Sequence, residues 1–184
     1  QASSLAQAAG STLCVTRSAI GVETDQALRR TFPPALILTS PPYPGVHVLY
    51  HRWQVQGRRE TPAPFWLAGC PDGNGASYYT FGDRKRAGLT PYYDNLSRAY
   101  SSLARVADER TMLVQMLAFS DPTWQLPNYL RVLNDTGFKE MNFWSIANSE
   151  DGRIWRCVPH RKWYAQAAYQ TSSSREVVLF HKRS

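Results

Sequence analysis

Ser40-Pro41-Pro42-Tyr43 directly follows the apolar run Ala35-Leu36-Ile37-Leu38-Thr39, so a hydroxyl, two prolines and a phenol ring arrive together at the end of a strand-like segment. Neither proline has an N–H, and each holds its own φ at about −65°. The backbone there can neither extend a ladder nor enter a helix, which lets the Ser40 and Pro41 carbonyls point outward. Ser40 adds a hydroxyl that accepts or donates a proton, and Tyr43 adds a flat face. Rigid oxygen acceptors beside a stacking surface suit a planar ring that bears an exocyclic amine. The lone pair of such an amine is delocalised into its ring. Holding both N–H bonds on acceptors out of the ring plane favours an sp³-like nitrogen that can attack an electrophilic methyl. Positioning and electrostatics of this kind are worth on the order of 10²–10⁴ in rate per good contact. An amine paired in a duplex is out of reach, so the base must be flipped from the stack.

Other residue types with chemical potential are sparse. His47 and His51 lie four apart, and Cys157 and His160 three apart. Either pair offers two metal ligands where zinc needs three or four, so loop polarity is the better reading and no metal is expected. Cys14, Cys70 and Cys157 are far apart and odd in number, which fits a reducing cytoplasm rather than a disulfide framework.

The formal net charge is +7, from 21 Lys and Arg against 14 Asp and Glu, and it favours a polyanionic partner, nucleic acid first. The bases cluster at Arg58-Arg59, at Arg84-Lys85-Arg86, in the stretch from Arg153 to Lys162, and at His181-Lys182-Arg183. Aromatics interleave with them, among them Trp53, Trp66, Trp155 and Trp163. Arg58, Arg59, Arg84, Lys85 and Arg86 are the expected phosphate contacts, with surface solubility as the bland alternative. Trp53 and Trp66 fit core or lid packing better than base stacking.

The elements that must position Ser40 follow from period and punctuation. Residues 1–34 read as a polar N-terminal arm or the remnant of another half, with weak helical potential at 2–9 and 23–31 and a short strand over 12–20. The first ten residues lack a basic start and an apolar core, so they do not read as a signal peptide. The first residue is Gln rather than Met, which fits a processed, trimmed or internal start. Pro33-Pro34 leads into a buried, parallel strand over 35–39. Residues 44–89 form a long loop rich in Gly, Pro and aromatics, a length that usually marks function. A helix follows, with Thr90 as N-cap, Pro91 in the first turn and a buried stripe of Tyr92, Leu96, Ala99, Tyr100, Leu103 and Ala107. Residues 111–119 read as a second buried strand. The next helix has Asp121 as cap, Leu126, Tyr129, Leu130 and Leu133 inward and Gly137 as its stop; Pro127 places its start near Leu126. A strand over 138–147 and a return over 153–158 are expected to pair as a hairpin, and 175–182 form the last strand. This order gives an α/β fold, a partial Rossmann-like open sheet over 35–184 with a terminal antiparallel hairpin. Chemistry in such sheets sits at the carboxyl ends of parallel strands, where Thr39 to Tyr43 fall.

On these residues the chain resembles a known family. Thr39-Ser40-Pro41-Pro42-Tyr43 is similar to the [DNS]-P-P-[YFW] motif of the amino-methylating DNA methyltransferases. The Ser form goes with N4-cytosine methylation more than with N6-adenine. The likeness runs from about Ala35 to the terminus, through "SPPYPGVHVLYHRWQ", "GRRETPAPFW", "YYTFGDR" and "SSSREVVLFHKR", which resemble a bacterial DNA-modification (restriction-modification) methylase subgroup. It implies Ser40, Pro41, Pro42 and Tyr43 as the catalytic residues that hold the target base, DNA as partner and S-adenosylmethionine as donor, touched here by Thr39 and Ser40. It further implies a seven-stranded Rossmann-like sheet, with the runs at 35–39, 111–119, 138–147 and 175–182 as its fourth to seventh strands.

The departures from that family are as informative. Its Gly-rich donor loop and its ribose-gripping acid are not evident. The sole GxG, Gly73-Asn74-Gly75, has no following helix, and Glu23 or Asp25 are the acids left to face a ligand. The chain therefore reads as the target-base half of such an enzyme. It would be a piece of a split or longer protein, a non-catalytic nucleic-acid-binding remnant, or a half completed by self-association. A half sheet leaves an edge and an apolar face to be covered, so association of some kind is expected. No run of about 18 apolar residues is present, and no membrane span is expected.

Overall fold

The computed structural model describes residues 13–15, 17–44, 53–55, 59–61, 89–119, 121–145, 151–157 and 175–184, with 53–55, 59–61 and 157 described by backbone alone. The chain is α/β. Its main sheet has five strands: β1 (Leu36–Thr39), β4 (Met112–Ala118), β5 (Phe138–Met141), β6 (Ile154–Cys157) and β7 (Arg175–Arg183). β1 runs parallel to β4, β4 runs antiparallel to β7, and β7 carries β5 and β6 on its other side. Two helices, α1 (Thr90–Val106) and α2 (Pro122–Asp135), follow β1 and β4 respectively.

Strand alternation decides which residues meet the helices. Leu113, Gln115 and Leu117 of β4 are buried, as are Val177, Leu179 and His181 of β7 and Phe138 of β5. The apolar members of this set pack with Leu96, Tyr100 and Ala104 of α1 and Leu126, Tyr129 and Leu133 of α2 as one core. Burial of each such large side chain contributes about 1.5–3 kcal/mol. The helical stripes follow the 3.6-residue spacing in part: Leu103, Ala107 and Leu130 are only half-buried at the edge of the core, and the last turns of α1 bury Ala104 and Val106 instead.

Several expectations are corrected. The strand at 35–39 forms and is parallel, but it is not buried: Leu36 is 54% and Leu38 74% exposed. The register sets these leucines beside the half-buried Met112 and Val114, on the sheet face opposite the helices. Among the described residues, no strand pairs with the far side of β1. The return strand β6 pairs with β7, not with β5. β7 is nine residues long, so its edge accommodates β5 against Phe180–Arg183 and β6 against Arg175–Val178, end to end. The chain leaves and rejoins that line through a hydrogen bond from Phe143 N to Gly152 O at 2.8 Å, with Gly152 at positive φ.

Residues 13–15 and 17–20 form no strand and are mostly exposed, and 3-10 turns at Val22–Thr24 and Arg29–Thr31 replace the weak helix expected over 23–31. Within the expected long loop, Trp53–Val55 (β2) and Arg59–Thr61 (β3) pair as a two-stranded antiparallel ribbon, too short for a period to register in the sequence. Thr90 is the first helical residue, and Leu89 occupies the cap without a side-chain bond. Asp121 caps α2 as expected, accepting from Thr123 N at 3.1 Å. Pro127 does not begin α2 but lies inside it. Its missing N–H and ring clash fall on the exposed side of the helix, while the cap and the buried Leu126, Tyr129 and Leu133 hold the turns on either side. Gly137 ends the helix at φ 87°.

No helix among the described residues is long and apolar enough to cross a membrane.

Candidate functional site

Ser40 to Tyr43 leave the carboxyl end of β1, where the parallel pairing with β4 ends at Thr39 opposite Gln115. Ser40 is exposed, and its hydroxyl donates to the carbonyl of Met116, one residue further along β4, at 3.1 Å. The Tyr43 hydroxyl lies 3.4 Å from the same Ser40 oxygen. With its proton directed to Met116, Ser40 Oγ keeps lone pairs for a donor arriving from outside.

α1 fixes the other side of the corner. Pro91 lies in the first turn of the helix, and the next residue, Tyr92, is buried, with its hydroxyl donating to the Pro42 carbonyl at 2.8 Å. Burial pushes the Tyr92 hydroxyl well above the ordinary phenol range, which keeps it a donor. Tyr93, in edge contact with Tyr92 at 5.2 Å between ring centres, donates to the Gln125 carbonyl of α2 at 3.3 Å. Burial likewise raises the Tyr93 hydroxyl, to about 12. The first turns of both helices are thereby tied to the diproline corner. Sequence spacing places Tyr92 in the core stripe but cannot show that its hydroxyl reaches across 50 residues to Pro42; its position in the first turn of the helix after the motif is the available signal.

Two features of the expected corner change. Tyr43 is only 8% exposed and belongs to the hydrophobic core, so the open stacking face is absent from this conformation. Pro44, which follows in a turn, is also buried. The Pro42 carbonyl is bonded to Tyr92, and Pro41, expected to turn its carbonyl outward, is itself buried, which leaves the exposed Ser40 hydroxyl as the open acceptor of the corner.

The acids offered as ligand-facing lie elsewhere. Glu23 pairs with Arg105 in the last turn of α1, the end of the helix remote from Tyr92 and Pro42. A backbone hydrogen bond and the Arg105 guanidinium hold its carboxyl below the usual range. Asp25 pairs with Arg17 at 2.7 Å and accepts the Ala27 and Leu28 amides, and those bonds lower its carboxyl as well. This portion of the N-terminal arm is also tied to α1 by a bond from Gly21 N to Ser102 Oγ at 2.9 Å. Asp121, at the carboxyl end of β4, is engaged in capping α2. Thr39, half-buried, and Ser40 thus have no acidic or Gly-rich partner beside them among the described residues, and these residues do not by themselves fit S-adenosylmethionine.

The basic clusters resolve unevenly. Arg58 and Arg84 to Arg86 lie outside the described residues, and Arg59 is described by backbone alone within β3. His47, His51, Cys70, Trp66, His160 and the Gly73–Gly75 turn also lie outside them. Arg153 is held by Glu140 at 2.6 Å and by Asp151 at 3.1 Å, and Arg156 by Glu176 at 2.7 Å. Both are paired with carboxylates, Arg153 half-buried and Arg156 exposed. His181-Lys182-Arg183 is not one basic patch. Strand alternation buries His181, exposes Lys182 and aims Arg183 at the carbonyls of Ala104 and Gly137. The period of two was available to separate them.

Among the described residues no group of three His, Cys, Asp or Glu side chains gathers as a metal site. In comparisons with protein-family models, curated proteins and solved structures, nothing matches this chain.

Proposed function

We propose that this chain is the target-base half of a DNA methyltransferase that modifies an exocyclic amine, N4 of cytosine in preference to N6 of adenine. The observation that carries the reading is the exposed Ser40 hydroxyl at the carboxyl end of a parallel strand, its proton directed to Met116 and its corner pinned by Tyr92. One amine N–H donates to Ser40 Oγ and the other to the Pro41 carbonyl, which the buried Pro41 offers only when the corner opens. With both hydrogens held, the nitrogen lone pair turns away from the ring and toward an electrophile. Tyr43, within reach of Ser40, orients the hydroxyl in this conformation; stacking of the base requires the ring to swing out of the core.

The resemblance in the motif supports the reading, as does the fact that all four runs it assigns to strands four to seven lie in one sheet. The methyl donor implied is S-adenosylmethionine. Because the described residues do not fit it, we assign its grip to a complementary chain or a second copy, and the exposed edge and outer face at Leu36 and Leu38 favour such an association. A second reading, a nucleic-acid-binding remnant without catalysis, is favoured by the same missing donor residues and by the +7 charge.

Transfer of tritiated methyl from S-adenosylmethionine to DNA separates the two. The enzyme reading predicts incorporation by the chain, alone or with its partner half, and a loss of about 10²-fold or more in Ser40→Ala at unchanged melting temperature. Salt-sensitive DNA binding with no incorporation under any pairing supports the remnant instead.

A further inference from the structure

Beneath the sheet, four polar side chains from four elements meet inside the apolar core. Gln115 of β4 receives the hydroxyls of Tyr100 from α1 and Tyr129 from α2 at its Oε1, the latter at 2.5 Å, and the two hydroxyls lie 2.9 Å apart. Its Nε2 lies 3.3 Å from Nδ1 of His181 on β7. All four residues are at most 2% exposed. Oε1 is the Gln115 atom that accepts from both hydroxyls. The Gln115 carbonyl therefore faces the tyrosines and its amide faces His181. An amide N–H must find a bare ring nitrogen, so Nδ1 is the acceptor and the imidazole proton sits on Nε2. That Nε2 is buried and has no hydrogen-bond partner among the described residues.

We propose that His181 is a proton-operated latch, which while neutral sets the direction of the hydrogen bonds that join both helices to the sheet and when protonated works against them. A proton added at Nδ1 would confront the Gln115 amide, donor against donor. Relief requires Gln115 to turn over, so that its Nε2 in place of its Oε1 meets the Tyr100 and Tyr129 hydroxyls, which must then accept. One protonation thus reverses a relay that spans β7, β4, α1 and α2. α1 is also the helix whose first turn holds Pro42, so the latch reaches the strand-end corner.

The charged and titratable groups around His181 can be enumerated. On β5, Glu140 pairs with it in register and favours the proton; Arg153, which binds Glu140 and Asp151, opposes it. On its own strand Arg183 is bonded to the carbonyls of Ala104 and Gly137. Tyr100 and Tyr129 stay protonated because burial raises both hydroxyls. Burial outweighs Glu140 and lowers the His181 imidazole to about 4, against 6.5 when unburied. The unfolded chain therefore binds the proton first on acidification. Stability from this group is complete above about pH 6.5 and is lost as pH falls toward 4.

Two measurements on the full chain test the latch. Long-range ¹H–¹⁵N correlation at about pH 7.5 should show His181 as the Nε2–H tautomer, the neutral form at that pH; an Nδ1–H tautomer or an imidazolium overturns the proposal. Urea unfolding should show the unfolding constant of the wild-type protein rising by about 30-fold between about pH 7.5 and about pH 5 from this group. His181→Asn, whose Oδ1 can replace Nδ1 as acceptor, should flatten most of that rise. A slope equal to that of the wild type in the folded variant assigns the pH dependence to other groups and overturns the proposal. Should the variant not fold, the wild-type tautomer remains decisive.

Discussion

Ser40 has one proton, and Met116 receives it. That single bond makes the hydroxyl an acceptor toward anything arriving at the strand end, and it is why an amine fits better there than a carbonyl. Tyr92 supplies the complementary restraint by holding Pro42 from within the core. Tyr92→Phe keeps the ring and removes the bond, so the Pro42 carbonyl is left without its donor. Urea unfolding should show a loss of about 1 kcal/mol; an unchanged midpoint would mean that the corner stands without the hydroxyl. At this scale the sequence is legible for residue type and location and illegible for partners. Ser-Pro-Pro-Tyr at the end of an apolar run announces the corner, whereas the burial of Tyr43 depends on the core that it joins. Tyr92 and His181 show the same limit: spacing says that they are inside, not which atom they meet.

The elements are more readable than their environments. α1 and α2 bury most of the stripes that their period demands, and β4 and β7 form where apolar alternation places them. The failures come from neighbours that no local pattern specifies. An apolar run flanked by breakers looks the same at an edge as at a centre, so the pattern of β1 suggests burial although its leucines face outward. Proximity in sequence suggests β5 as the hairpin partner of β6, while the length of β7 offers a better edge. Gly137 is legible in full as the stop of α2, and it does more than end a helix. A Cβ there would fall 1.7 Å from the Arg183 guanidinium, which bonds the Gly137 and Ala104 carbonyls and so joins β7 to both helices. Gly137→Ala should therefore cost about 1–3 kcal/mol from its positive φ, and more from the displaced arginine. Gly21→Ala supplies the comparison, since its φ is 82° but its nearest neighbour would lie 3.6 Å away. In thermal unfolding Gly137→Ala should be the worse of the two, and equal losses would refute the role given to Arg183.

For the whole molecule, net charge is the observation that bears on a partner. A net charge of +7 on 184 residues favours a polyanion, and Arg153 and Arg156 are already partnered by carboxylates. Under the proposed function, phosphate binding falls to the other clusters. Reversing the charge of Arg84, Lys85 and Arg86 should flatten the dependence of DNA affinity on salt, by about 0.9 in the log–log slope for each phosphate these side chains no longer neutralise; an unaltered slope would remove that cluster from the interface. The corner itself is tested most directly by nuclear magnetic resonance of the labelled chain titrated with single-stranded oligonucleotides. One set carries cytosine or adenine in a thymine background, and the other is thymine throughout, which has no exocyclic amine. The account predicts shifts at the Ser40 and Tyr43 amides with the amine-bearing strands, larger for cytosine, and their loss in Ser40→Ala. Equal shifts with the all-thymine strand, or none at Ser40 and Tyr43 while binding occurs elsewhere, would contradict it.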